Sequence, residues 1–274
     1  MDYISIRVTC QQSLVEYIIS ELFQMGFDSF QEFEDGLEGS CQTETFNGEE
    51  VRGFFDQFPN VTYKVKEQEK VNWNLEWEKN YSPVIIENKC IVRASFHEPR
   101  PEFEYEIIVT PKMSFGTGHH ATTYQILAYQ LKLDHRGKRV LDVGTGTGVL
   151  AIMASKRGAS DIVATDIDEW CIENSSENFE LNKIRKYQLY KKEIHDLDEK
   201  QFDIVIANIN KNVLQTQMSS YSSLIKWQGT LLISGFYSED IDDLIREANK
   251  HALVKKFQSV KDNWAMLVFS KQSV

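Results

Sequence analysis

Cysteine is scarce in this 274-residue chain, and what there is lies scattered: Cys10, Cys41, Cys90 and Cys171 form no C-x-x-C pair. That excludes a zinc ribbon and a disulfide framework, and reduced thiols are the expectation. No run reaches the roughly 18 apolar residues that a membrane helix needs. The opening Met1-Asp2-Tyr3-Ile4-Ser5-Ile6-Arg7 has no basic segment followed by an apolar core, so no signal peptide is expected. A cytoplasmic protein with no membrane partner and no bound metal is the reading. No G-K-[ST] follows the glycine cluster, which excludes Walker-type phosphate binding. Low-complexity linkers and internal repeats are absent as well.

Basic residues are scarce in one region. Residues 1–70 carry 14 Asp and Glu against 5 Lys and Arg, whereas the remaining 204 carry 27 against 25, within a net charge of −11. The first quarter repels a phosphate backbone and attracts a basic partner, so direct nucleic-acid binding is not expected.

That acidic quarter also has its own rhythm. Ile4, Ile6 and Val8 alternate as in a half-buried strand. Ser13 is the expected cap of an apolar-periodic helix that ends at Gly26. A strand over Phe27–Glu34, an Asp35-Gly36 turn and a third strand to Glu44 follow. Asn47 is placed to cap a short helix, Pro59-Asn60 breaks it, and Val61, Tyr63 and Val65 alternate again. The order β-α-β-β-α-β predicts a small ferredoxin-like α/β domain over 1–70. Residues 71–110 read as a transition segment with strand-like runs at Val84–Ile86, Cys90–Ala94 and Tyr105–Val109, Pro99 and Pro101 bracketing a loop.

Over 111–274 short, continuous apolar runs alternate with helical segments, which predicts an α/β, doubly wound, mostly parallel sheet covered on both faces. The runs Val254–Val260 and Trp264–Phe269 read as a hairpin, so the last strand is expected antiparallel. That feature points away from most nicotinamide-binding domains.

The strongest local signal is Val140-Leu141-Asp142-Val143-Gly144-Thr145-Gly146-Thr147-Gly148, a strand running through a glycine turn into a helix. Glycines allow close backbone approach, and a helix N-terminus is expected to offer free N–H groups to a carboxylate. Asp142 is placed to hold an ammonium, directly or through water. S-adenosylmethionine carries both groups on its amino-acid end. Asp166 ends the next strand, 18 residues after Gly148, and suits a ribose diol. Asp168 competes for that role but reads better as a helix cap. Asn208 ends the strand Phe202–Asn208 at the sheet edge where ligands sit. The loop Phe115-Gly116-Thr117-Gly118-His119-His120-Ala121-Thr122-Thr123 precedes the glycine strand and has room for a ligand beneath it.

Taken together, Phe115-Gly116-Thr117-Gly118, His120, Thr122-Thr123, the Asp142/Gly144/Gly146/Gly148 motif, Asp166-Ile167-Asp168, Ala207-Asn208-Ile209, Ser234-Gly235-Phe236 and the segment from Trp73 to Tyr81 resemble the PrmA family. Its members methylate large-subunit ribosomal protein L11. The resemblance covers about residues 70–270 and departs from the family at His119, Ala121, Thr145 and Thr147. It implies a class I methyltransferase domain preceded by a substrate-recognition domain, with S-adenosylmethionine contacts at Thr123, Gly144, Asp166 and Asn208. Phe115, Thr117, Asp142, Gly146 and Gly148 complete the expected donor site. Asn208 and His120 are the candidate catalytic residues: Asn208 orients an amine of a basic ribosomal protein, and His120 is a possible proton acceptor. A nucleic-acid methyltransferase is disfavoured because Asn208-Ile209-Asn210 is not the Asn-Pro-Pro-aromatic tip common for base amines. A non-catalytic assembly module is disfavoured by the intact Asp142, Asp166, Asn208 and glycine run.

Overall fold

The computed structural model describes residues 3–68, 78, 80–112, 115–198 and 201–272. It divides into two compact units, Met1–Tyr81 and Ser82–Val274. Trp73 and Glu76-Trp77, which contribute to the family resemblance, lie outside the described residues.

The first unit is built from β1 (Tyr3–Thr9), a helix Gln12–Gln24, β2 (Ser29–Phe33), β3 (Gly36–Gln42), a helix Gly48–Phe55 and β4 (Thr62–Gln68). Its sheet has the order β2-β3-β1-β4, antiparallel throughout. Two strands flank β1 because each helix crosses from one strand to a non-neighbour, the split arrangement the pattern predicts. Ile6, Val8, Ile18, Leu22 and Leu37 are fully buried between sheet and helices. Asn47 caps the second helix, its Oδ1 accepting from the Glu49 and Glu50 amides. Two local expectations fail. The first helix starts two residues early, with Gln11 rather than Ser13 at the cap and no side-chain capping bond. Val65 stays exposed on the edge strand β4, although it pairs with the buried Ile6 and shares the core-facing side of Tyr63.

In the second unit β5 (Val84–Ile86), β6 (Cys90–Ala94) and β7 (Tyr105–Val109) form a small sheet of that order. The stretch read as a transition segment therefore carries folded structure. Ile86, Val92, Ile107 and Val109 pack with the helices Ala121–Gln130 and Val149–Lys156 into one core. The main sheet comprises β8 (Arg139–Val143), β9 (Asp161–Asp166), β10 (Tyr187–Lys191), β11 (Phe202–Asn208), β12 (Ile225–Tyr237), β13 (Leu253–Lys261) and β14 (Trp264–Lys271). The order is β10-β9-β8-β11-β12-β14-β13. β8 to β12 run parallel, and β14 is inserted antiparallel between β12 and β13. Asp262 and Asn263 both have positive φ in the two-residue turn of that last hairpin, as a tight hairpin turn requires.

The main strands read as continuous apolar runs because both faces are covered. Along β11, Ile204 and Ile206 enter one core while Phe202, Val205 and Ala207 enter the other. Sequence neighbours thus diverge at β8: its tip meets β9 on one side and β11 on the other, which opens a crevice above their carboxyl ends. Truncating Ile206 to Ala should cost about 2–5 kcal/mol in urea unfolding, whereas Val65→Ala should stay within about 0.5 kcal/mol. Equal losses would contradict these burial assignments.

Candidate active site

The crevice is a cavity of about 530 Å3. Its floor is the glycine turn. Gly144, Gly146 and Gly148 all have positive φ. A Cβ on Gly146 would lie 2.3 Å from the Phe115 carbonyl oxygen, and one on Gly144 would lie 2.4 Å from Ile209 Cγ2. No side chain fits at either position, so the Phe115 loop and the tip after β11 both press on bare backbone.

Hydrogen bonds fix this arrangement. The Gly144 and Thr145 amides donate to the Thr165 carbonyl at 2.8 and 3.0 Å, tying the β8 tip to β9. The Gly146 amide donates to Asp166 Oδ2 at 3.0 Å. The Thr147 amide donates to the Phe115 carbonyl at 3.0 Å and its hydroxyl to the Gly116 carbonyl at 2.6 Å. The Gly148 amide returns to the Thr145 carbonyl at 2.8 Å. Every N–H from Gly144 to Gly148 therefore has an acceptor within the protein, so the turn itself offers no free donor. What the turn offers instead is a surface without side chains.

Asp142 lies behind the turn and does not line the cavity. It is fully buried, with Oδ2 accepting from the Thr145 hydroxyl at 2.8 Å and Oδ1 without a hydrogen-bond partner. Burial pushes its carboxyl up to about 7, opposed by the Thr145 hydroxyl and the nearby Ala151 amide, and aided by the negative charge of Asp166. Asp166 does line the cavity. Its two oxygens take the Gly146 and Asp168 amides, and each keeps a lone pair for a further donor. Asp168 caps the following helix through the Trp170 amide at 3.0 Å.

Asn208 lines the cavity at the end of β11. Its Nδ2 donates to the Thr123 hydroxyl at 3.1 Å, while its Oδ1 is closed off from solvent and has no partner. A sealed acceptor left unpaired costs roughly 1–3 kcal/mol, which a ligand N–H would recover. Thr123 is itself buried and touches the site only through Asn208. His120 caps the helix Ala121–Gln130, its Nδ1 lying 2.8 Å from the Thr122 hydroxyl and accepting from the Thr122 amide at 3.4 Å. An Nδ1 that accepts an amide leaves the ring proton of the neutral form on Nε2. Burial holds the His120 pKa below the ordinary histidine range, so the ring is neutral at pH 7. Edge contacts to Phe115 (5.2 Å) and Trp264 (4.6 Å) make it part of an aromatic wall.

Of the residues singled out from the sequence, Phe115, His120, Gly144, Gly146, Asp166 and Asn208 meet at one cavity, whereas Thr117, Thr123, Asp142 and Gly148 stand behind it. Sequence reasoning missed Trp264, Ile194, Ile209 and Gly235 as lining residues. Trp264 arrives from the last hairpin and carries no local signal. Ile167, also on the wall, had one: it is the apolar residue between the two acids of the quoted Asp166-Ile167-Asp168 stretch. Among the described residues no group of three or more His, Cys, Asp and Glu could hold a metal.

A parallel sheet reversed only at β14, with its cavity above a glycine turn and an acid on the adjoining tip, is the architecture of class I methyltransferases. Within that class, the model of the family described as ribosomal protein L11 methyltransferase (PrmA) matches residues 42–272. The ribosomal protein L11 methyltransferase of Porphyromonas gingivalis is 42% identical over 96% of this chain and 92% of its own length. That of Bacteroides fragilis is 40% identical over 95% of each. The crystal structure of ribosomal protein L11 methylase from Lactobacillus delbrueckii subsp. bulgaricus superposes with a TM-score of 0.65 at 26% identity, over 70% of this chain and 100% of that one. The chain belongs to the PrmA family and is an S-adenosylmethionine-dependent protein methyltransferase.

The buried carboxyl of Asp142 has a stability consequence whose sign is fixed. Its folded pKa lies above the unfolded value, so its ionisation penalises folding as pH rises from about 4 to about 7, and the penalty is fully present above 7. Asp142→Asn should therefore be more stable than wild type at pH 8 by up to roughly 4 kcal/mol, the gap closing toward pH 4. Urea unfolding of both proteins across that range checks it; a gap that widens toward acid would refute the burial argument.

Proposed function

We propose that this enzyme transfers methyl groups from S-adenosylmethionine to amines of ribosomal protein L11, with Asp166 holding the donor's ribose and Asn208 orienting the incoming amine. The observation that carries the reading is the unpaired, sealed Oδ1 of Asn208 at the edge of a cavity floored by bare glycine backbone. Once the Asn208 side chain turns toward the cavity, that oxygen accepts an N–H from a neutral amine and aligns its lone pair with the donor methyl.

The residues fit the donor. Gly144 and Gly146 let it lie flat against the turn, and Asp166 keeps lone pairs for a diol. Ile167 and Ile194 supply apolar wall for a purine. The sulfonium is already activated, so positioning is most of the task. A lysine amine has an unperturbed pKa near 10.4, and desolvation against the aromatic wall lowers it and exposes the lone pair. The amine nitrogen then bonds to the methyl carbon as the carbon–sulfur bond breaks. S-adenosylhomocysteine is released, and the proton displaced from nitrogen passes to solvent. His120, with its acceptor nitrogen committed to Thr122, is a wall residue in this scheme and not the base.

The N-terminal unit is the module for the basic substrate. Its excess of acids attracts a ribosomal protein at long range and speeds encounter. A cytoplasmic setting and no direct contact with nucleic acid follow from the same reading. With purified L11 and labelled donor, mass spectrometry should find methyl groups on its amines; label confined to RNA would overturn the assignment. In single turnover, Asn208→Ala should lose about 100-fold and His120→Ala less than about tenfold. Unchanged activity in the Asn208 variant removes its role. The association rate with L11 should fall steadily as salt rises from low to physiological strength. A salt-independent rate sinks the steering.

A further inference from the structure

One strand edge next to the site is satisfied in an unusual way. β7 is an edge strand of its small sheet, paired on one side with β6. On the other side its backbone, and that of Thr110 just beyond it, meets side chains from the helix Glu169–Leu181 and its cap residue. Asn182 Oδ1 accepts from the Ile108 amide at 3.0 Å, and its Nδ2 donates to the Ile108 carbonyl at 2.6 Å. Asn178 Oδ1 accepts from the Thr110 amide at 2.8 Å, and Asn174 Nδ2 donates to the Thr110 carbonyl at 3.2 Å. A carboxamide carries the same donor and acceptor as a peptide group. Three of them spaced by four residues lie on one helix face, so the ladder stands in for a further strand.

Asn178 differs from its two neighbours. Its Nδ2 points the other way and donates to the Thr147 carbonyl at 2.8 Å, inside the glycine turn. Thr147 in turn holds the Phe115 and Gly116 carbonyls through its amide and hydroxyl. Asn178 and Thr147 are both fully buried. One carboxamide therefore ties together β7's end, the glycine turn and, through Thr147, the Phe115–Gly118 loop. Phe115, on that loop, is a cavity wall and is 53% exposed.

We infer that Asn178 is a positioning residue for the methyl donor: it registers the glycine turn against the Phe115 loop, and donor affinity depends on that register. The inference rests on the donor-site reading above. Asn182 supplies the internal comparison, because its carboxamide makes the same kind of ladder bonds but has no bond to the turn.

The test compares Asn178→Asp and Asn182→Asp, each of which replaces an Nδ2 donor by an oxygen without changing size. Calorimetry with S-adenosylhomocysteine reads donor affinity, and steady-state kinetics separate KM for S-adenosylmethionine from kcat. Both variants should melt lower than wild type. Only Asn178→Asp should weaken S-adenosylhomocysteine binding, by about tenfold or more, and raise the donor KM to match, with kcat at saturating donor within about threefold. Wild-type affinity in Asn178→Asp overturns the inference, as does equal weakening by both variants, which would mark a general loosening. Should Asn178→Asp fail to fold, Thr147→Val removes the hydroxyl bond to the loop while leaving the ladder intact. It should show the same rise in donor KM, and normal binding by it also overturns the inference. Failure of the wild-type protein to bind S-adenosylhomocysteine would sink the donor site itself, a result distinct from a normal Asn178 variant.

Discussion

Backbone lies on backbone at Gly146, where the Phe115 carbonyl occupies the space a Cβ would need. The contact brings the loop that walls the cavity onto the turn that floors it. It is only possible because Gly146 has no side chain and takes positive φ. Thr147 completes the seam with two hydrogen bonds across it. With that seam in place, Asp166 receives the Gly146 amide and Ile209 packs over Gly144. A cavity of ligand size remains where the three tips part.

Charge is distributed in keeping with that architecture. The buried acid, Asp142, is shielded by the turn and titrates near neutrality, while the accessible acid, Asp166, is held by two backbone amides. His120 is kept neutral by burial among aromatic rings.

Much of the fold was legible in the chain. The switch from period-two alternation in the first unit to continuous apolar runs in the second reflects sheets buried on one face and on two, and β1, β8, β9 and β11 lie where the runs place them. Local capping chemistry was read correctly at Asn47 and Asp168, where the side chain has an amide two residues on. It misled at Ser13, because the first helix begins at Gln12 with no side-chain cap at all. The strand-like runs Val84–Ile86, Cys90–Ala94 and Tyr105–Val109 are β5, β6 and β7, but three to five residues carry too little pattern to say that they pair into one sheet.

By itself the sequence determined the parallel sheet, the reversed last hairpin, the glycine positions and the acid and amide at the tips of β9 and β11, because periodicity and the φ preference of glycine act over a few residues. Only the tertiary structure decided which polar atoms are spent and which stay available. The turn's amides are consumed by the carbonyls of Phe115, Thr145 and Thr165 and the Asp166 carboxylate, Asp142 is walled off, and Asn208 Oδ1 is left without a partner. Hydrogen-bond satisfaction is settled across the whole chain, between residues as far apart as Ile108 and Asn182, and no local pattern encodes that outcome.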